Sequence, residues 1–339
     1  MIGFISYSEK YDKNKVASYS VYLAKSTDRP AQNALFVYEN SQVKEFKPAK
    51  EGIILDQHKS TQMLVASLEK MENTIQSEDQ ISLPVIVSQA KISTADSNSF
   101  GINSLLAKGE SWYYHSIPSR IHNLDLASSK FHGILIPPGE ELSFNQTVGD
   151  ISMQSGYQQA YIIKNGRTIL GDGGGVCQVS TTLFRAALNA GLEIVSRTGH
   201  AYRVSYYEYN SPVGQDATVF DPQPDLIIKN NTDHHILIQK VIDKSNYYLS
   251  FLIYGAPDGR QVYISQSRIW DQAPPPPDLY QEDPTLPAGT VKQIDWAAWG
   301  AKTAFDYKVS KGNDILQEKT FYTNYRPWQA IYLQGSKTD

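Results

Sequence analysis

Two periods alternate along the chain. Leu35-Phe36-Val37-Tyr38 and Val43-Lys44-Glu45-Phe46 are short β-favouring runs on either side of Glu39-Asn40-Ser41-Gln42, a pattern that predicts a hairpin. Met63, Leu64, Leu68, Met71 and Ile75 then recur at helical spacing, with Ser60 placed to cap the helix. Leu83–Val87 predicts a strand. Strand, strand, helix and strand in succession describe a small α+β module. Residues 1–30 are polar, rich in Tyr, Lys and Ser, and show no period.

Residues 96–118 are rich in Ser, Gly and Asn and read as a connection lying on the next domain. Pro118 and Ser119 open a helix with a face of Ile121, Leu124, Ala127 or Ser128, and Phe131, and Gly133 stops it. Ile134–Ile136 predicts a strand and Pro137–Glu140 a turn. The glycine-rich run 166–175 leads into a helix whose face is Val179, Leu183, Ala186 or Ala187, and Leu188, ended by Gly191. Leu192–Ser196 reads as a strand. Ala201–Tyr209 and Thr218–Phe220 read as extended segments flanking Ser211–Gly214. Leu226–Lys229 and His235–Val241 read as a further strand pair, and Tyr247–Tyr254 as another strand. Six prolines in 271–287 predict a stiff linker, followed by an alternating, aromatic-bearing all-β unit. The fold class is therefore α+β and multi-domain, with a Cys-bearing helix and antiparallel strands at its centre. The expected boundaries are 1–98, 99–257 and 268–339.

Composition narrows the function. Over 339 residues the formal net charge is −4, which excludes a broad electrostatic footprint for nucleic acid. No apolar run approaches the ~18 residues of a membrane span. The single cysteine, Cys177, excludes an intramolecular disulfide and a Cys-rich zinc site. No cofactor or metal is expected: Gly171–Gly175 lacks the Lys-Ser/Thr of a phosphate loop, and His234-His235 has no ligand partner at suitable spacing. The start, MIGFISYSEKYDKNK, is too weakly apolar for a signal peptide and fits the cut end of a longer, exported protein.

Ordered segments resemble the VanW family: SFNQTVGD at 143–150, GYQQAYII at 156–163, GGGVCQVSTTLF at 173–184, AGLEIVSRTGH at 190–200, GQDATV at 214–219 and DLIIKNNT at 225–232. The match spans about 117–240. Residues 31–98 resemble the peptidoglycan-binding module that often precedes this domain. Residues 268–338, with LPAGTVKQIDWAAWGAKTAFDYKV and TNYRPWQAIYLQG, are similar to the G-five domain of surface proteins. The resemblance implies an extracellular bacterial envelope protein, in the wall or held at the membrane by a segment outside this chain, with peptidoglycan or another wall polymer as partner. It implies no particular reaction.

Cys177 stands where the Gly173-Gly174-Gly175 turn meets a helix. Free helix-start amides and the positive helix end favour a thiolate there and can stabilise an oxyanion. The glycines let a substrate backbone approach, with Gln178 beside them as a further substrate contact. The alternative is a small core residue packing the helix start. His200 is the natural base. Asp225, Asp216 and Asp221 compete to orient its ring. A hairpin over 201–224 that turns near Pro212 would set Asp225 opposite His200 and carry Asp216 away, so Asp225 ranks first and Asp216 second. The order Cys, His, Asp is also similar to transglutaminase-like and papain-like thiol enzymes, although the Cys–His gap is short. Arg120, near His122 and Asn123 on the preceding helix, is a candidate for binding a carboxylate or phosphate. Trp296, Trp299, Tyr325 and Trp328 either stack on sugar rings or fill a thin β core. Two functions follow: a thiol enzyme acting on an acyl or amide group of a cell-wall peptide, or a non-catalytic glycan-binding envelope protein with a structural Cys177.

Overall fold

The computed structural model describes residues 12–72, 80–92, 100–164 and 167–337. The chain divides into two units, 1–35 with 45–97, and 36–44 with 98–339. In the first unit, α1 (Lys13–Thr27) starts at Asp12, whose carboxylate accepts from Asn14 N at 2.8 Å. The sequence hid this helix because its buried positions, Ser20 and Ala24, are small and one is polar. β1 (Leu35–Glu39) and β2 (Gln42–Lys47) form the expected hairpin, with Asn40 and Ser41 at φ 51° and 60° making its turn. Residues 36–44 of that hairpin belong to the second unit, where Phe36 N donates to Gly133 O. β3 (Gly52–Leu55) precedes α2 (Gln57–Glu72), which begins three residues before Ser60. Asp56 accepts from Lys59 N at 3.0 Å there, and Ser60 is buried within the helix rather than capping it. Ile75 lies outside the described residues. β4 (Val85–Ser88) pairs antiparallel with β3.

The second unit opens with β5 (Ser104–Trp112), in the segment expected to be a connection. Gly109 breaks the strand signal, and the structure shows why it is there. A Cβ on Gly109 would stand 2.2 Å from Ala186 N, so a helix crosses the strand at backbone contact. α3 (Pro118–Ser129) and β6 (Ile134–Ile136) follow as expected. Next come β7 (Glu141–Ser143), α4 (Phe144–Val148) and the hairpin of β8 (Gln159–Lys164) and β9 (Arg167–Asp172). The hairpin delivers the chain to the glycine turn and α5 (Val176–Asn189). β10 (Glu193–Ser196) and β11 (Ile227–Lys229) make a three-stranded sheet with β7, in the order β10-β11-β7. β12 (Ile236–Asp243) does not pair with β11. It joins β13 (Tyr248–Gly255) in the sheet β5-β13-β12-β6, because Asn230 turns the chain between the two sheets by donating to Ile136 O and His234 O.

Helix α5 is the axis of this unit. All its residues are buried except Cys177 and Asn189, which is the pattern of a helix packed on every side. Its polar side chains are satisfied internally. Thr182 bonds Ser111, and Ser180 and Thr181 both donate to Ala217 O.

The C-terminal strands are β14 (Arg260–Ile264), β15 (Arg268–Ala273), β16 (Leu279–Pro287), β17 (Val291–Asp295), β18 (Gly300–Lys311), β19 (Asp314–Tyr325) and β20 (Ile331–Lys337). The linker expectation is corrected here. β14 and β15 precede the proline run yet pair with β18, so Pro274–Pro277 joins two strands inside the β-unit. Nor is that unit detached: Phe305, Tyr307, Val309 and Phe321 share one apolar core with α5 and β10. The Tyr307 hydroxyl donates to Leu192 O at 3.0 Å, and Arg260 donates to Gly191 O at 2.7 Å.

Candidate functional site

The site is built on the first turn of α5. Gly173 and Gly175 adopt φ of 83° and 109°, a left-handed geometry in which a side chain is strained. The Cβ side of each glycine faces the protein rather than open space. A Cβ on Gly173 would stand 2.2 Å from Ile151 Cγ2, one on Gly174 2.7 Å from Ala160 Cβ, and one on Gly175 3.1 Å from Leu124 Cγ. The protein itself fills that space. Asn123 clamps the turn by donating to Gly174 O and Gln158 O and accepting from Gln158 N. Val176 N and Gln178 N are spent on Gly173 O and Gly175 O, which leaves Cys177 N as the helix-start amide with no acceptor among the described residues.

Cys177 is half-buried. Its sulfur lies 3.7 Å from Thr218 Oγ1 and 3.5 Å from Val219 O, which accepts from the thiol. His200 is buried, with Nδ1 2.5 Å from Asp216 Oδ2. His200 N donates to the same oxygen at 2.8 Å, so ring and backbone are held by one carboxylate. The other ring nitrogen, Nε2, is buried and has no hydrogen-bond partner among the described residues. Tyr207, in a single helical turn at Ser205–Tyr207, packs its ring on the imidazole with centroids 4.6 Å apart.

Electrostatics couple the three groups. Burial opposes the imidazolium charge, but the hydrogen bond that Nδ1 donates to Asp216 and the nearby Cys177 outweigh it, and His200 is pushed up to about 9. Burial likewise raises the Cys177 thiol, and the nearby His200 brings it below its ordinary value. Asp216 is held far below the carboxylate range despite burial, because His200, Arg197 and Tyr325 all favour the anion.

The ranking of the acids is reversed. Residues 201–209 are not a strand, and the ladder that placed Asp225 beside His200 does not form. The contact is a single bridge, Thr198 to Thr218, which brings Asp216 to His200 instead. Asp225 clamps a loop: it accepts from Ser143 Oγ at 2.5 Å and from Asn145 N at 2.9 Å, while Asn145 Nδ2 donates to the carbonyls of Phe220, Pro222 and Pro224. Asp221 is exposed. Gln178 is fully buried and bonded to Ser111 Oγ, Trp112 O and Arg120, so it holds Arg120 rather than meeting a ligand. Arg120 is half-buried, stacked 4.2 Å from the Tyr206 ring centre, and donates to Ser116 Oγ and Gln178 Oε1, both at 2.8 Å.

Two supporting residues escaped the sequence reading. Arg197 donates to Asp216 O, Asp216 Oδ1 and Gly214 O, and its guanidinium also bonds Thr323 of β19. Tyr325, at the end of β19, donates to Asp216 Oδ1. Arg197 lies three residues before His200, which is a signal that could have been followed; nothing in the sequence joins Tyr325 to Asp216 across 109 positions. Of the other aromatics, Trp328 bonds Asp295 and stacks on Tyr202, whereas Trp296 and Trp299 remain 66% and 51% exposed. Among the described residues there is no cluster suited to a metal ion and no helix long and apolar enough to cross a membrane.

The fold and the site define a mixed α+β protein with a cysteine, a histidine and an aspartate assembled at a helix start. Residues 119–252 match the family "VanW like protein", and residues 4–76 match "Putative peptidoglycan binding domain". A VanW-like segment thus follows a segment similar to the "Putative peptidoglycan binding domain". "Uncharacterized protein YoaR" of Bacillus subtilis (strain 168) is 41% identical over 128 residues, covering 38% of this chain and 41% of that protein. "Vancomycin B-type resistance protein VanW" of Enterococcus faecalis (strain ATCC 700802 / V583) is 36% identical over 117 residues, covering 34% and 42%. The chain therefore spans about two fifths of the length of the curated relatives it matches. Among solved structures, the IgA1 protease G5 domain (TM-score 0.15, 23% of this chain and 94% of that one) and HP0197-G5 (TM-score 0.12, 22% and 99%) are both 16% identical.

Proposed function

We propose that the chain belongs to a bacterial cell-envelope protein whose VanW-like domain is a thiol acyl-transfer centre working on an acyl or amide group of a wall peptide. The N-terminal domain engages peptidoglycan. The observation that carries the reading is the His200 ring: Nδ1 is fixed by Asp216, Nε2 is buried with no partner among the described residues, and the ring is electrostatically coupled to Cys177. In the proposed reaction the Cys177 thiolate attacks a carbonyl carbon, a C–S bond forms, and the carbonyl π electrons move to oxygen, facing Cys177 N. Collapse breaks the bond to the amine or alcohol, which leaves with the proton of His200 Nε2. Water or an amine then attacks the thioester, His200 takes its proton, and the C–S bond breaks to restore the thiolate.

One observation favours a second reading, a binding protein with a structural cysteine. The Cys177 side chain packs against the apolar core and its thiol has an acceptor in Val219 O. Alkylation separates the two. A native protein whose Cys177 reacts with iodoacetamide, with a titration below that of a free thiol, supports the acyl-transfer reading. Resistance until unfolding establishes the structural one. Binding is tested by pull-down on purified sacculi, with Trp296→Ala and Trp299→Ala reporting whether the exposed tryptophans of the β-unit contribute.

A further inference from the structure

We infer that Arg120 is the carboxylate anchor of the thiol site, so the acyl substrate carries a free carboxylate near its reacting carbonyl. The inference rests on the acyl-transfer reading and names its substrate class.

The argument begins with charge pairing. Four other arginines of this unit meet a carboxylate directly, Arg203 with Glu208, Arg260 with Asp258, Arg268 with Asp306 and Arg197 with Asp216, and Arg326 is exposed to water. Arg185 has none, but its guanidinium is taken up by three backbone carbonyls, of Gln215, Glu110 and Tyr207. Arg120 differs from all of these. It is half-buried, no carboxylate touches it among the described residues, and only two of its five N–H groups are used, both on neutral side-chain oxygens. A guanidinium is costly to withdraw from water without a counter-charge. Such a group is suited to receive an anion in the bidentate geometry that carboxylates favour.

Its position fits that role. The backbone oxygen and Cγ of Arg120 lie 3.2 Å from the point where a Gly175 side chain would begin, and its Nη2 is held by Gln178. Gly175 and Gln178 flank Cys177 on the first turn of α5, so both ends of the Arg120 residue are registered to the turn that carries the thiol. Stacking on Tyr206 fixes the guanidinium plane. Tyr206 lies beside Tyr207, which covers the His200 ring. The Arg120 charge also acts on Cys177 itself. The positive groups that act on the thiol are thus Arg120, His200 and the helix start, with Asp216 engaged by four donors on the far side of the imidazole. A neutral acyl group would leave Arg120 without a counter-ion.

The test compares two alkylating agents of nearly equal size on the intact chain: iodoacetate, which carries a carboxylate, and neutral iodoacetamide. Their rate ratio at one pH cancels any change in the thiolate fraction. Attraction of iodoacetate to the His200 imidazolium is common to all variants, so the change on substituting Arg120 isolates the arginine. In the native protein iodoacetate should compete well with iodoacetamide. In Arg120→Gln the iodoacetate/iodoacetamide ratio should fall about tenfold, the scale of one charge-assisted hydrogen bond. Arg120→Lys should fall between the two, and it serves if the glutamine variant does not fold. A native-protein arm needs no variant: N-acetylglycine should slow iodoacetamide, and N-acetylglycinamide at the same concentration should not. An unchanged ratio in both variants, or equal protection by acid and amide, overturns the assignment while Cys177 remains reactive. A thiol that neither reagent reaches in the folded protein overturns the acyl-transfer reading and this inference with it.

Discussion

The hydroxyl of Tyr325 donates to Asp216 Oδ1 at 2.5 Å, so the C-terminal β-unit supplies a direct support to the acid that holds His200. With Tyr322 O and Thr323 Oγ1 on Arg197, three residues of β19 reach the candidate site. Tyr325 is a positioning residue. It touches neither the sulfur nor the imidazole but takes up one oxygen of the carboxylate that does.

Tyr325→Phe removes that donor and leaves the ring packing in place. Hydrogen bonds to charged groups contribute about 1.5–3 kcal/mol, so urea unfolding should show a stability loss of that order. With less of its charge taken up, Asp216 becomes the stronger acceptor for His200 Nδ1, and the His200 titration should move upward. An imidazole titration followed by NMR checks this, because a purely structural loss would lower stability and leave the titration where it was.

The two aspartates should separate cleanly. Asp216→Asn removes the anion on His200 Nδ1, so the His200 pKa should fall, the Cys177 pKa should rise, and alkylation by iodoacetamide at pH 7 should slow at least tenfold. Asp225→Asn should leave the alkylation profile unchanged and lower the melting temperature, since it weakens the bonds to Ser143 and Asn145 N. An altered profile in Asp225→Asn, with a normal one in Asp216→Asn, would reverse the assignment.

The pH dependence follows from the signs of the shifts. Cys177 ionises below its ordinary value and His200 keeps its proton to about 9. A thiolate–imidazolium pair therefore exists between these limits. Turnover that needs both should rise with Cys177 ionisation and fall as pH passes about 9. For stability, the raised His200 pKa makes a contribution that is full below the ordinary histidine value and is lost as pH rises through about 9. His200→Ala should return the Cys177 titration upward and abolish the alkaline limb. Iodoacetamide rates and thermal melts across pH measure the two effects.

The β-unit should not unfold on its own. Phe305 and Phe321 are buried in the core that also holds Phe184 of α5, with Phe184 and Phe321 ring centroids 5.6 Å apart. Phe305→Ala should cost about 3–5 kcal/mol and expose Cys177 to alkylation as the shared core loosens. Limited proteolysis should yield no stable fragment cut at 271–287. An early, separate melt of the β-unit would show that the interface is weak.

The sequence by itself determined most of the local structure. Helix α5, with its glycine start and Gly191 stop, is legible because one period governs its apolar positions and the punctuating glycines have fixed conformational uses. The same holds for α3, β6, β10 and β13. Cys177 and His200 were legible too, as a thiol at a helix start and a histidine after the next strand. Tertiary structure decided what depends on distant partners. Gly109 looks like a strand breaker until α5 is laid against it. The glycines of the turn show their packing role only when Ile151, Ala160 and Leu124 are set against their Cβ positions. Asp216 displaced Asp225 because the 201–209 segment folds into a turn, and a ladder register cannot be inferred for a ladder that does not exist. Tyr325 and Arg197 serve one carboxylate because a shared apolar core brings β19 to the edge of α5. That proximity is a property of packing between residues more than a hundred positions apart, and no local pattern encodes it.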